Sequence, residues 1–242
     1  MPNATFTRAL ARKLLAAAAC VSLSSTVLAR SAAEYAIRWD PAESGPRSIA
    51  EVQAALKLPG AGKQKRFEVR YFVVTPPPGT PQDASVIARE RSTGGKTESM
   101  YKLRSPTPLA ATGPQAQWQC PFARKTRPKS KDEVDIGWTA EGVPRKNYSL
   151  SCDADGFLKA LLPARFEARP VGCANDVLRQ EVDHITIERW HLPGDRMAFE
   201  VSWKASDSDA DLEQFTRRVV RPLREAGAKA LQESKTGLGS HC

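Results

Sequence analysis

Charged side chains recur at every second position along several short apolar runs of this 242-residue chain. Arg89 and Arg91 share one face of their run, Lys102 and Arg104 another, Glu133 and Asp135 a third. Glu34 and Arg38, Glu68 and Arg70, Glu188, and Glu200 with Lys204 repeat the pattern, while the opposite faces carry Tyr, Ile, Val, Phe and Trp. Alternation of period two is the mark of a strand with two different faces. Guanidinium forks grip phosphate oxygens, and Asp and Glu hold a hard divalent ion through oxygen. A surface that brings both signs together suits a multiply charged anion bound with a divalent cation. On any one strand a solvated outer face explains the charges equally well; their recurrence on seven of eight expected strands points to a shared interior.

The elements that would position these residues can be read in order. Glu34–Asp40, Arg66–Val74, Ser85–Arg91 and Glu98–Arg104 read as strands, the last two forming a hairpin around Thr93-Gly94-Gly95. Asp132–Trp138 and Asn147–Cys152 follow, and Asp183–His191 and Arg196–Ala205 make a final hairpin turning at Pro193-Gly194-Asp195. Ile49, Val52 and Leu56 stand at helical spacing behind Ser48, with Glu51 placed for a capping box. A short helix is expected near Gly156–Leu162. A longer one, Asp209–Ala226, is capped by Ser208, turns Leu212, Phe215, Val219 and Leu223 to one side, and should be kinked by Pro222. Residues 105–130, rich in Pro, Gln and basic residues, read as a long loop. Eight strands with apolar outsides and helices to cover them predict an α+β fold: an eight-stranded antiparallel barrel with a charged lumen and a C-terminal helix.

The first 29 residues have the parts of a cleavable leader: basic Arg8, Arg12 and Lys13, the apolar run Leu14–Leu28, and the small-x-small triplet Val27-Leu28-Ala29. The rest, residues 30–242, then forms a single exported domain, periplasmic or secreted, with no further membrane-spanning stretch. Removing the leader lowers the formal charge from +9 to +6, a balance that favours polyanionic ligands or anionic surfaces. Four cysteines remain, and an even count in an exported chain predicts two disulfides, for which Cys120–Cys152 and Cys173–Cys242 are the expected pairs. Without a CxxC, and with only three His, a zinc site is not expected. The basic loop Arg124–Lys131 lacks interleaved aromatics, so a nucleic-acid partner is not expected either.

In collinear order these stretches resemble the CYTH superfamily, the triphosphate tunnel metalloenzymes. The resemblance runs from about Glu34 to Thr236 and is carried by MYKLRS (Met100–Ser105), KDEVDI (Lys131–Ile136), IERWHLPGDRMAFEVSWK (Ile187–Lys204), the closing helix and ESKT (Glu233–Thr236). It implies an eight-stranded antiparallel tunnel with inward charges, acting on triphosphate or polyphosphate compounds with Mg2+ or Mn2+. By that resemblance Arg89, Arg91, Lys102, Arg104 and Lys235, with Arg38 and Lys204, would bind the phosphates. Glu34, Glu188 and Glu200 would hold a metal, and Glu133 or Asp135 would position the water or a second ion. The family's opening E-x-E-x-K appears here as Glu34, Ala36 and Arg38, and a paired carboxylate on the last hairpin as Glu200 then Ser202. Anion binding is therefore better preserved than metal-dependent hydrolysis. The alternative is a non-catalytic polyanion-binding or structural exported barrel.

Overall fold

A computed structural model describes residues 32–60, 62–75, 80–109, 129–161, 167–171 and 173–240. The expected leader, Cys120 and Cys242 lie outside them. Ten strands form one sheet: β1 (Ala32–Trp39), β2 (Lys63–Thr75), β3 (Ser85–Thr93), β4 (Lys96–Ser105), β5 (Lys129–Trp138), β6 (Pro144–Asp155), β7 (Glu167–Pro170), β8 (Asn175–Val182), β9 (Ile185–Leu192) and β10 (Arg196–Ser206). Their order is β3-β4-β6-β5-β1-β10-β9-β8-β2, and pairing of β2 with β3 closes nine of them into a barrel. The short β7 pairs with the far end of β2, beyond β8.

The expected eight-stranded antiparallel barrel is thus corrected to nine strands with one parallel pair, β1 beside β5. The two changes have one cause. Strands that alternate in direction around a closed ring must be even in number, so a ninth forces one like-directed neighbour. The barrel strand missing from the sequence reading is β8, NDVLRQEV; the short β7 outside the ring was not read either. Its residues are buried or half-buried on both faces apart from Glu181, so no alternation of apolar and polar residues marks it.

Local chemistry fixes the ends of the elements. Gly94 and Gly95 both take positive φ (54° and 77°), which is what a two-residue hairpin turn between right-twisted strands requires. Ser48 accepts the Glu51 amide at 3.1 Å while the Glu51 carboxylate reaches back to the Arg47 amide, opening helix α1 (Ile49–Ala55). The long helix is α3 (Asp209–Phe215), a π turn over Thr216–Val220, and α4 (Arg221–Glu225). The Arg221 amide bonds the Thr216 carbonyl, five residues back, just before Pro222, which has no amide to offer; the expected proline kink takes this widened form. Helices α2 (Leu158–Leu161) and α5 (Lys235–Ser240) complete the fold.

The largest core lies outside the barrel. Tyr35 and Trp39 of β1, Ile136 and Trp138 of β5, Ile187 of β9, and Phe199, Val201 and Trp203 of β10 pack beneath α1 and the long helix. Phe215 is fully buried there, its ring 5.6 Å from Tyr35, 5.0 Å from Trp138 and 5.3 Å from Trp203. Apolar residues on these outward faces leave the alternate positions to point inward. On β2 the pattern inverts. Phe67, Val69 and Tyr71 pack with Ile87, Met100, Val177, Trp190 and Leu238 of α5, filling part of the barrel. Glu68 and Arg70 therefore lie on the outside, bonded to each other at 2.8 Å, and not in the lumen as expected.

Candidate anion and metal site in the barrel

A cavity of about 950 Å³ occupies the rest of the interior, lined among others by Glu34, Arg89, Lys102, Asp135, Lys204 and Lys235. Two charged clusters share it. The first spans β4, β6, β5 and β1. Lys102 and Arg104 of β4 lie one strand away from β5, separated by β6. The β6 residues facing them across the ladder are Ser151 and Ser149, both buried and small. That lets the two long bases reach over β6 to Asp135. Lys102 donates to both carboxylate oxygens at 3.2 and 3.3 Å, and Arg104 donates Nε and Nη2 to Oδ2 at 3.0 and 2.8 Å. Glu133, two residues away on the same face, accepts Lys204 of β10 at 3.2 Å.

Glu34 sits opposite Asp135 on the parallel β1 ladder. Burial alone would raise its pKa. The charges of Lys235, Lys204, Lys102 and Arg38 outweigh this and hold the carboxyl at about 2, so it stays ionised. Glu34, Glu133 and Asp135 each offer an oxygen within 4.8 Å of the others, and they are the only such group of acids, His or Cys among the described residues. Three carboxylates form an all-oxygen donor set, which fits a hard divalent cation such as Mg2+ or Mn2+ and not a soft one.

The second cluster spans β1, β10, β9 and α5. Glu200 forms an ion pair with Arg38 at 2.5 Å and accepts a hydrogen bond from Lys235 at 2.7 Å; Glu188 accepts from Lys235 at 3.2 Å and from the Trp190 indole at 3.0 Å. Arg179 of β8 approaches Glu188 at 3.9 Å. Lys235 opens α5, whose Ser234 cap accepts the Gly237 amide. Farther along α5, Gly239 lies so close to Tyr71 that a Cβ there would come within 2.7 Å of the ring. Burial would lower the Lys235 pKa, but Glu188, Glu200 and Glu34 together raise it above its usual value. Burial would raise that of Glu188, but Lys235 and Arg179 hold it below the ordinary 4.5.

The structure therefore brings Glu34 together with Glu133 and Asp135, and sets Glu188 and Glu200 among the half-buried bases Arg38, Arg179 and Lys235. Arg91 pairs with Glu98 at 2.6 Å and lies over the Phe67 ring. Arg89 lines the cavity with no carboxylate in ion-pair range among the described residues. Sequence reasoning missed Arg179, because β8 itself escaped notice, and Arg145, which lines the rim. Arg145 alternates with Asn147, Ser149 and Ser151, so an earlier start to β6 would have found it. Cys152 and Cys173 are each disulfide-bonded.

No protein-family profile matches the chain, and no curated protein matches it in sequence. Among solved structures, a protein of Pyrococcus horikoshii aligns at a TM-score of 0.44 with 10% identity, covering 85% of this chain and 97% of its own. A conserved hypothetical protein of Pyrococcus furiosus aligns at 0.41 with 14% identity, over 82% and 97%. A candidate adenylate cyclase of Vibrio parahaemolyticus aligns at 0.41 with 12% identity, over 86% and 98%. The functional reading rests on the geometry of the site.

Proposed function

We propose that the barrel interior binds a triphosphate or short polyphosphate together with Mg2+ or Mn2+ and promotes hydrolysis of the phosphoanhydride. The observation that carries this reading is the convergence of Arg89, Lys102, Arg104, Lys204 and Lys235 on one cavity that also holds the Glu34–Glu133–Asp135 set. The collinear resemblance to the triphosphate tunnel enzymes supports it. The expected metal role of Glu188 and Glu200 passes in this reading to Glu133 and Asp135, since these two, and not the former pair, offer oxygens within 4.8 Å of one another and of Glu34.

Phosphoryl transfer asks for positioning and for charge on the equatorial oxygens to be neutralised. A divalent cation would supply Lewis acidity toward the phosphate oxygens and the water. Arg89 and Arg104 grip non-bridging oxygens through paired N–H groups, and Lys102, Lys204 and Lys235 add point charges. Ser149 and Ser151 keep β6 low beneath the ligand. Glu34 contributes a carboxylate ionised across the working pH range.

A second reading, binding without turnover, is favoured by one detail. Ala36 and Ser202, where the resembled family carries carboxylates, face each other across the β1–β10 ladder, so that patch of wall has no acid for a second ion. Phosphate release from inorganic triphosphate with magnesium or manganese separates the two readings, using the mature chain, Arg89→Ala and Glu34→Gln. Turnover that both variants abolish establishes the hydrolase. Triphosphate binding that Arg89→Ala weakens, with no release, leaves the binding protein. Absence of both defeats the phosphate reading.

A further inference from the structure

Lys102, Arg104 and Lys204 of the first cluster each already hold a carboxylate, and of the three carboxylates a metal would need there, Glu133 and Asp135 already hold a base. Asp135 takes Lys102 on both of its oxygens and Arg104 on one, in the way a phosphate would be held. Glu133 holds Lys204. We propose that Asp135, with Glu133 in support, is a built-in stand-in for phosphate, so that this site takes the cation and the polyphosphate as one chelate and binds either alone poorly. The inference rests on the phosphate reading above and adds the form in which the ligand enters.

The reason is charge bookkeeping in a half-enclosed space. A dication arriving alone would draw Glu34, Glu133 and Asp135 to itself and leave Lys102 and Arg104 facing each other without counter-charge. A polyanion arriving alone would draw off those bases and leave three carboxylates within 4.8 Å of one another. Separating Asp135 from Lys102, whose side chains are 15% and 9% exposed, carries a desolvation penalty that either ligand alone does not recover. When both arrive together the charges exchange partners: carboxylate oxygens turn to the cation, ammonium and guanidinium groups turn to phosphate oxygens, and no ion is left alone. Arg89, without a carboxylate among the described residues, remains available for the first contact. The second cluster does not exchange partners, because Glu200 is 1% exposed and keeps its bases; Lys235 adds its charge to the cavity from where it stands.

Such coupling is reciprocal and usually amounts to roughly 5–150-fold in affinity. Titration calorimetry of the mature protein would use three probes: inorganic triphosphate without metal, manganese alone, and the preformed manganese–triphosphate chelate. The chelate should bind at least about fivefold tighter than free triphosphate. Asp135→Asn, which keeps the shape and removes the charge, should tighten metal-free triphosphate and shrink the advantage of the chelate; Glu133→Gln should do the same to a smaller degree. The inference is overturned if wild-type protein binds free triphosphate as tightly as the chelate, or if both variants, with wild-type circular dichroism, bind free triphosphate no better than wild type. If wild type binds none of the three probes, the phosphate reading itself has failed and takes this inference with it.

Discussion

Glu200 and Glu133 are inward carboxylates on strands of the same barrel, and each faces a lysine, yet their settings differ sharply. Glu200 is 1% exposed and divides its oxygens between Arg38 and Lys235; Lys235 in turn holds Glu188. Glu133 is 12% exposed and gives one oxygen to Lys204, whose side chain is 61% exposed. The first arrangement joins β1, β10, β9 and α5 through ions that water reaches poorly, and it behaves as part of the fold. The second leaves charge within reach of a ligand and able to change partners. Residue type and strand position do not separate the two; the depth at which each ion pair sits does.

The sharpest test of that difference is Glu200→Ala. It leaves half-buried Arg38 and Lys235 facing the place of a fully buried partner, and should cost about 3–5 kcal/mol in urea unfolding. A cost below about 1 kcal/mol would place this corner with exposed ion pairs and erase the distinction. Acid should expose the same corner next. A carboxyl held below its ordinary 4.5 in the folded state stabilises the fold above that pH and ceases to as pH falls through the folded value. Wild-type protein should therefore lose stability more steeply below pH 4.5 than Glu188→Gln; parallel curves would remove Glu188 from the network.

Smaller effects on stability are expected in the other corner. Glu133→Gln should change the unfolding free energy by less than about 1 kcal/mol, because Lys204 is already largely in water. Its effect belongs in ligand titrations. Arg89→Ala should be smallest of all, within about 0.5 kcal/mol, while weakening triphosphate binding. A large loss of stability from either would mean that the open corner also holds the barrel together.

Much of this arrangement was legible beforehand. The alternations on β1, β3, β4, β5 and β10 named the inward charges because their other faces are apolar, and a strand so divided can face only one way. The capping box at Ser48, the Ser208 cap and Gly94-Gly95 marked ends that local chemistry sets. What escaped depends on tertiary contacts. β8 is covered on both sides and shows no period. Glu68 and Arg70 looked like lumenal charges, but α5 and the aromatic packing of Tyr71 on Trp190 claim the apolar face of β2 for the interior. Nor does any sequence spacing say that serines on β6 let Lys102 and Arg104 reach Asp135. The cysteine pairing is still an expectation: peptide mapping of unreduced protein should recover Cys120 linked to Cys152 and Cys173 linked to Cys242, and any other linkage would revise it.

The seam at β1 has a consequence for how the chain reaches this state. Among the described residues β1 is the earliest strand, yet it is wedged between β5 and β10, with Ala32 opposite Ser206 at one end of its ladder and Trp39 opposite Phe199 at the other. Its first partner, β5, is completed only at Trp138, and its second, β10, is the last of the described strands. Until then its apolar face has neither neighbour, and the long helix that covers it follows later still. The ring cannot be closed progressively in order of synthesis; it must wait for almost the whole chain and then assemble through distant contacts, which are the slow ones to find.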